Sequence, residues 1–303
     1  MHTFYSDGTG SVADLAQAAR QSGLAWIWIT DHDTMQGKGE EGIIDGVVTL
    51  VGYEITPERN HYLVGDVDEV ISRELAPAEY MAEVARRGGI GVIAHPDERA
   101  TNEYTTPYRW DDWALRGFTG IELWNYMSDW IENYTPFRKY LYYFFPSLAL
   151  RGPTAETLRW WDALQVEGVQ PTGLFGVDAH ATKVRRLKRE WVVFPYKHCF
   201  DRLTNYLQLD EPLDADFDRA EQQIWDAIRR GRVIMANRAR GDAGGTTFVA
   251  LSSSGATATC GDEVVLEAPL SLEFTCPLEA EIRLVRDGAV VARASRSQKL
   301  RFD

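Results

Sequence analysis

Apolar and polar positions follow two periods in the first third of the chain. Val12, Leu15, Ala16 and Ala19 recur at helical spacing between Ser11 and Ser22, and Leu24 to Ile29 is then an unbroken apolar run. A helix-period stretch followed by a short, wholly apolar run predicts a helix leading into a buried strand. A strand apolar on both faces belongs inside a parallel sheet. The pattern returns at Val47 to Gly52, Ile90 to Ala94, Gly120 to Asn125 and Leu174 to Val177, each predicted as a buried strand. His61 to Gly65 is a further strand that carries a histidine at its start, and Glu190 to Phe194 adds another.

Between the strands, Ala76 to Arg87 reads as a helix with Tyr80, Met81, Val84 and Ala85 on its apolar face, closed by Gly88 and Gly89. Thr154 caps a helix over Ala155 to Gln165, and Asp216 to Arg230 is a helix closed by Gly231. Gln36 to Gly46 is expected as a glycine-rich loop and Glu98 to Gly117 as an irregular Trp/Tyr-rich segment. Residues 126 to 165 read as an aromatic helical insertion broken at Pro136, Pro146, Gly152 and Pro153. From about Val233 the pattern shortens to alternating segments: Thr247 to Leu251, Val264 to Leu266, Leu270 to Phe274, Glu281 to Val285 and Ala289 to Ala292. Asp287-Gly288 between the last two is a hairpin signal. The expected organisation is an α/β domain over residues 1–235 and a small β-sandwich-like domain over residues 236–303.

Composition changes this picture little. At 303 residues the chain can bury a large core. A formal charge of −13 argues against a general grip on nucleic acid. No apolar run reaches membrane length, so no membrane partner is expected. Cys199, Cys260 and Cys276 make no disulfide framework; Cys260 and Cys276 could pair, but free thiols in a reducing, cytoplasmic setting are the favoured reading.

The candidate chemistry sits at strand ends. Asp31-His32-Asp33 follows the first buried run, Tyr53-Glu54 the second, His95-Pro96-Asp97 the Ile90 strand, and Asp178-Ala179-His180 the Leu174 strand. Strand ends are where α/β folds place their sites. His61 opens a strand, and His2 and Asp7 flank the expected start of the first one. A single such histidine would be an ordinary loop residue; five at five strand termini are not. Mixed imidazole and carboxylate donors suit zinc, manganese or iron. The set His2, Asp7, His32, Glu54, His61, His95, Asp178 and His180 exceeds one ion and suffices for two or three. His198, without a strand-end context, is left out.

His2-Thr-Phe-Tyr-Ser-Asp7-Gly8, Ile29-Thr-Asp31-His32-Asp33, Gly52-Tyr-Glu54, Ile93-Ala-His95-Pro96 and Gly176-Val-Asp178-Ala-His180 follow the order and character of the PHP (polymerase and histidinol phosphatase) motifs. Over about residues 1 to 235 the chain resembles that family. With its β tail it resembles the subgroup with a C-terminal β-sandwich, which includes predicted phosphoesterases and carbamate hydrolases. The resemblance implies a distorted (β/α)7 barrel of the PHP type followed by a small all-β domain. It further implies a first metal held by His2, Glu54 and Asp178, a second held by bridging Glu54 with His61 and His95, and a third held by Asp7, His32 and His180. The first histidine of the family's His-x-His would fall one residue before Met1, and the β tail stops at Asp303 short of a full sandwich. The expectation is therefore a chain that begins and ends inside its domains, or one that has lost a metal ligand.

The function implied is hydrolysis of a small-molecule phosphate ester at a di- or trinuclear site. His180, Asp33 or water at the metals are the candidates for general acid. Arg99 and Lys183, just past two of the motifs, are candidates for holding phosphate. The Trp/Tyr-rich stretches between 104 and 143, with Trp110, Tyr126 and Trp130, either roof the pocket or form core. The alternatives are a carbamate or carboxylic ester hydrolase on the same metals, and a degenerate metal-binding scaffold.

Overall fold

The computed structural model describes residues 1–99, 106–133, 135, 137–186, 189–252, 257–264 and 269–303. The first helix, α1 (Val12–Gln21), starts at Ser11, whose side chain accepts from the Asp14 amide while Asp14 returns the bond. That reciprocal cap satisfies two end amides and fixes where the helix begins. It buries Val12, Leu15, Ala16 and Ala19, as the spacing predicts. β1 (Trp26–His32) follows, then a one-turn 3-10 segment over Gln36–Glu40, β2 (Gly42–Ile44) and β3 (Val47–Ile55), in which every residue is buried. The expected loop over Gln36 to Gly46 is thus partly ordered, because Ile43 and Ile44 pair antiparallel with the start of β3.

β4 (Tyr62–Gly65), α2 (Pro77–Arg86), β5 (Ile90–Ile93), β6 (Gly120–Asn125), α3 (Tyr126–Asn133), α4 (Lys139–Phe144), α5 (Ala155–Val166) and β7 (Thr172–Gly176) come next. The main sheet runs in the order β1, β3, β4, β5, β6, β7, with β2 on β3. β1 with β3, β5 with β6, and β6 with β7 are parallel. β4 is antiparallel to both neighbours, a departure from the expected parallel layout. The short link from Ile55 to Tyr62 explains it, since a parallel return needs a crossover of a dozen or more residues. Met1 to Gly8 is a turn rather than the expected strand, although the Thr30 amide donates to the Met1 carbonyl and the His2 amide to that of Ala179. The result is a curled, half-barrel sheet.

The strands β8 (Thr182–Arg186) and β9 (Arg189–Val193), α6 (Tyr196–Phe200), β10 (Leu203–Leu207), α7 (Phe217–Arg229) and β11 (Val233–Asn237) complete this part. β10 and β11 pair antiparallel, which local pattern did not indicate. α7 lays Ala220, Ile224, Trp225, Ala227 and Ile228 against the sheet, with the Trp225 ring edge-on to Trp28 at 5.2 Å. Burying a side chain such as Ile224 stabilises by about 2–3 kcal/mol. Toward the C-terminus, β12 (Thr247–Ser252), β13 (Thr257–Thr259), β14 (Leu270–Arg286) and β15 (Ala289–Phe302) form a separate antiparallel sheet turned at Asp287-Gly288. Val264 lies outside any strand, and residues 265 and 266 of that expected segment lie outside the described residues. All three cysteines are free, so Cys260 and Cys276 are unpaired.

Candidate metal centre

The strands deliver their polar ends to one place. His32 ends β1 directly opposite Glu54 of β3. His61 precedes β4, and because β4 runs backwards its start lies at the same end as the other strands' finishes. His95 lies two residues beyond β5, and Asp178 and His180 lie just past β7. The N-terminal turn adds His2 and Asp7. Gly8 lets that turn close, since a Cβ there would come within 2.2 Å of the His2 carbonyl oxygen.

Among the described residues three groups of donors result: His2, Asp7, His32 and His180; Glu54, His61 and His95; and His2, Glu54 and Asp178. Within each group the ligand atoms all lie within 4.8 Å of one another. Glu54 and His2 each belong to two groups. His2 Nε2 lies 2.9 Å from Asp178 Oδ1 and 3.5 Å from Glu54 Oε2. His61 Nδ1 and His95 Nε2 lie 2.9 and 3.4 Å from Glu54 Oε1. The His2 ring is stacked between those of His32 and His180, at 4.1 and 4.2 Å. Asp33, His95 and Asp178 all have positive φ. Left-handed backbone at residues other than glycine is strained and gathers at functional sites.

The electrostatics are those of close-set opposite charges. Burial would raise the Glu54 carboxyl, but His61 and His95 hold it well below the carboxylate range. Burial opposes Asp178 likewise, and hydrogen bonding and charge from His2 and His180 hold it low. Asp7 is lowered to about 2 by His180, against burial. Burial lowers His2 to about 4, whereas His95, despite burial, is raised to about 10 by Glu98 and Glu54, and His180 to about 9 by Asp7 and Asp178. Protons on His95 and His180 balance the carboxylates; a cation would displace them. His2 Nδ1, His32 Nδ1 and His95 Nδ1 are buried without a hydrogen-bond partner. Buried polar atoms are normally satisfied, so orphan imidazole nitrogens in a mixed imidazole and carboxylate set fit divalent metal ligation.

Other predicted residues lie elsewhere. Asp33 accepts from Thr56 N at 3.0 Å and from the Thr56 hydroxyl, and Arg73 approaches it at 3.3 Å. Arg99 is engaged by Asp97 at 2.6 Å and Glu156 at 2.8 Å, and Arg109 reaches the same two carboxylates. Lys183 is exposed on β8. Trp110, Tyr126 and Trp130 are buried in the hydrophobic cores, so the roof expected from them is core instead. Among the described residues, Tyr108 is an aromatic beside the donors, stacked on His61 at 4.5 Å.

Three further residues fix the donors: Asp31 and Glu122, which the sequence marks as strand-associated carboxylates without a role, and Tyr196, which it does not mark. Tyr196 Oη donates to the His2 carbonyl at 2.8 Å and accepts from the amides of Thr9 and Gly10. Asp31 accepts from Thr3 N, Thr3 Oγ1 and Ser6 Oγ, each at 2.6 Å, pinning the turn that carries His2. Glu122 Oε2 accepts from the His95 amide at 2.8 Å and from Asn125 Nδ2. A carboxylate inside the apolar run Gly120 to Asn125 was the signal available for Glu122; Tyr196 had none. Beside the donors a cavity of about 400 Å³ opens, reaching from His2, Glu54 and Asp178 to Trp28 and Leu207.

No family model matches the chain. The uncharacterized protein MJ1587 of Methanocaldococcus jannaschii is 25% identical over 95 residues, 30% of this chain. The match spans 56% of that relative's length. Among solved structures the chain is similar to a two-domain protein from Bacteroides vulgatus containing a predicted PHP-like metal-dependent phosphoesterase, with 14% identity and a TM-score of 0.49 over 99% of this chain and 83% of that one. Predicted PHP-like metal-dependent phosphoesterases are among its structural neighbours. An amidohydrolase from Chromobacterium violaceum is a further one, with 13% identity and a TM-score of 0.34 over 64% of this chain and 90% of that one. Among the described residues no helix is long and apolar enough to cross a membrane.

Proposed function

We propose that the chain is a metal-dependent hydrolase of the PHP type that cleaves a phosphate ester at two or three divalent ions. The observation that carries this reading is the sharing of Glu54 and His2 among three compact donor groups. A carboxylate common to two groups suits adjacent ions, which a lone structural site would not need. His2, Glu54 and Asp178 would hold one ion, Glu54, His61 and His95 a second, and Asp7, His32 and His180 a third, with zinc, manganese and iron all compatible. Bound ions of this kind lower the pKa of water and polarise the ester oxygens.

The chain's own groups do the rest. Asp31 and Tyr196 hold the His2 turn, and Glu122 orients His95. His180 Nδ1 lies 2.8 Å from the Asp178 carbonyl, which leaves Nε2, 3.2 Å from Asp7, to ligate the third ion or, with two ions bound, to hold a proton. Asp33, tied to Thr56 and Arg73, is assigned to positioning rather than to proton transfer. Arg99 is already neutralised by two carboxylates, so Lys183 is the better candidate for meeting a substrate phosphate.

A second reading is favoured by the cavity. Its far wall is apolar, with Trp28, Leu174, Leu207 and Ile224, and suits a carbamate or carboxylic ester with an apolar arm. One experiment separates the two: elemental analysis of protein purified without chelator, with turnover of nitrophenyl phosphate, bis-nitrophenyl phosphate and nitrophenyl acetate. Two or three ions with phosphate turnover support the first reading, and acetate turnover alone supports the second. Absence of metal and of all turnover after adding zinc, manganese or iron would refute both.

A further inference from the structure

A face outside the metal centre has the composition of a lipid-contacting surface. The chain carries −13 overall, yet residues 134 to 155 contain no Asp or Glu and three basic residues, Arg138, Lys139 and Arg151. Residues 179 to 193 contain five basic residues and one acid, Glu190, which is paired with Arg185 across the strands. The fold brings these two stretches together: Tyr143 Oη donates to the Val192 carbonyl at 3.2 Å, and its ring meets that of Trp191 at 5.7 Å.

The same face exposes large apolar side chains. Phe137 is 98% exposed, Phe144 and Phe145 each 61%, and Leu148 62%, with Leu141 and Trp191 also exposed. These are not the residues of an unanchored segment. Tyr142, on the same helix, is buried, and its carbonyl accepts from Trp130 Nε1 at 3.3 Å. One side of α4 is fixed in the core while the other presents aromatic and aliphatic groups to solvent. Apolar patches of this kind mark interaction sites.

We propose that residues 137–148 and the strands β8 and β9 dock the protein peripherally on an anionic lipid surface. The exposed rings and leucines enter the headgroup boundary, and Arg138 and Arg189, the latter on the Trp191 side of β9, pair with lipid phosphates. Local positive charge on an acidic protein is the complement such a surface selects. The lack of a spanning stretch does not bear on this, because peripheral contact needs none. Nucleic acid would use the arginines but has no use for Leu141 and Leu148. A twofold contact with a second copy would set like charges against each other. β8 begins two residues after His180, so docking would bring the donor cluster near the lipid headgroups.

The test is co-sedimentation of the full chain with vesicles of phosphatidylcholine alone and of phosphatidylcholine mixed with phosphatidylserine. Binding is expected to the mixed vesicles and to weaken with salt. Arg138→Glu with Arg189→Glu should lower partitioning by roughly fivefold or more per charge, and Phe144→Ser with Phe145→Ser by a similar factor. All four residues are exposed, so circular dichroism should be unchanged in both variants. The proposal is overturned by absence of binding to the mixed vesicles, by equal binding to both compositions, or by folded double variants that bind like the parent. Self-association or oligonucleotide binding removed by these substitutions, without vesicle binding, would also overturn it.

Discussion

His32 and Glu54 are register partners across the parallel pair β1 and β3, with His32 Nδ1 3.5 Å from Glu54 Oε2. Two buried strands of unlike origin thus end side by side, and the carboxylate of one serves the imidazoles of several others. Glu54 also meets His2, His61 and His95, so its loss should be felt by two donor groups at once. Glu54→Gln is expected to lower bound metal by more than one equivalent. Hydrolysis should fall beyond the roughly 10- to 100-fold that losing an outer partner of a metal ligand costs. Elemental analysis beside turnover measures both; a variant that keeps its full metal content would contradict the shared role.

Tyr196→Phe removes one hydroxyl that serves the His2 carbonyl and the amides of Thr9 and Gly10. The Thr9 amide keeps its bond to the His180 carbonyl, but leaving the His2 carbonyl and the Gly10 amide without this partner should cost about 1–3 kcal/mol. Urea unfolding of the metal-free protein would show the loss directly, with metal affinity falling because the His2 turn loosens. An unchanged midpoint and slope would count against Tyr196 as the clamp.

Glu122 orients His95 through the backbone, and Gly176 leaves room for it: a Cβ at 176 would lie 1.7 Å from Glu122 Oε1. Glu122→Ala and Gly176→Ala should therefore act alike, each weakening metal binding roughly 10- to 100-fold while the sheet still forms. If Gly176→Ala binds metal like the parent, the packing account is wrong.

His198 sets a pH dependence that is independent of the donor cluster. Burial, helped by Arg202, lowers its imidazole from 6.5 to about 4, and Tyr126 Oη lies 2.9 Å from its Nε2. The unfolded chain binds this proton more readily, so stability rises with pH across the window. The contribution is complete above pH 6.5 and is lost as pH falls through about 4. Allowing for partial exposure it amounts to about 1 kcal/mol. Denaturant midpoints measured from pH 7 to 4 should fall less steeply in His198→Gln than in the parent.

Much of this protein was legible from local pattern alone. Apolar runs such as Leu24 to Ile29 and Ile90 to Ala94 became β1 and β5, and the polar residues after them became site residues. Burial on both faces of a strand demands such runs, and a donor that cannot be buried alone must wait for the strand's end. α1 and α7 were equally readable, because their caps and apolar faces lie within a few residues of one another.

What tertiary structure decided are relations between distant parts of the chain. The reversed direction of β4, the pairing of β10 with β11, and the burial of Trp110 and Tyr126 depend on which surfaces meet, and sequence spacing does not encode that. The sharing of Glu54 by His2, His32, His61 and His95 is of the same kind, as is the hold of Tyr196 on a carbonyl 194 residues away. A residue's type limits the chemistry it can offer. Whether an Arg99 meets substrate or is neutralised by Asp97 and Glu156 is settled by the neighbours that folding supplies.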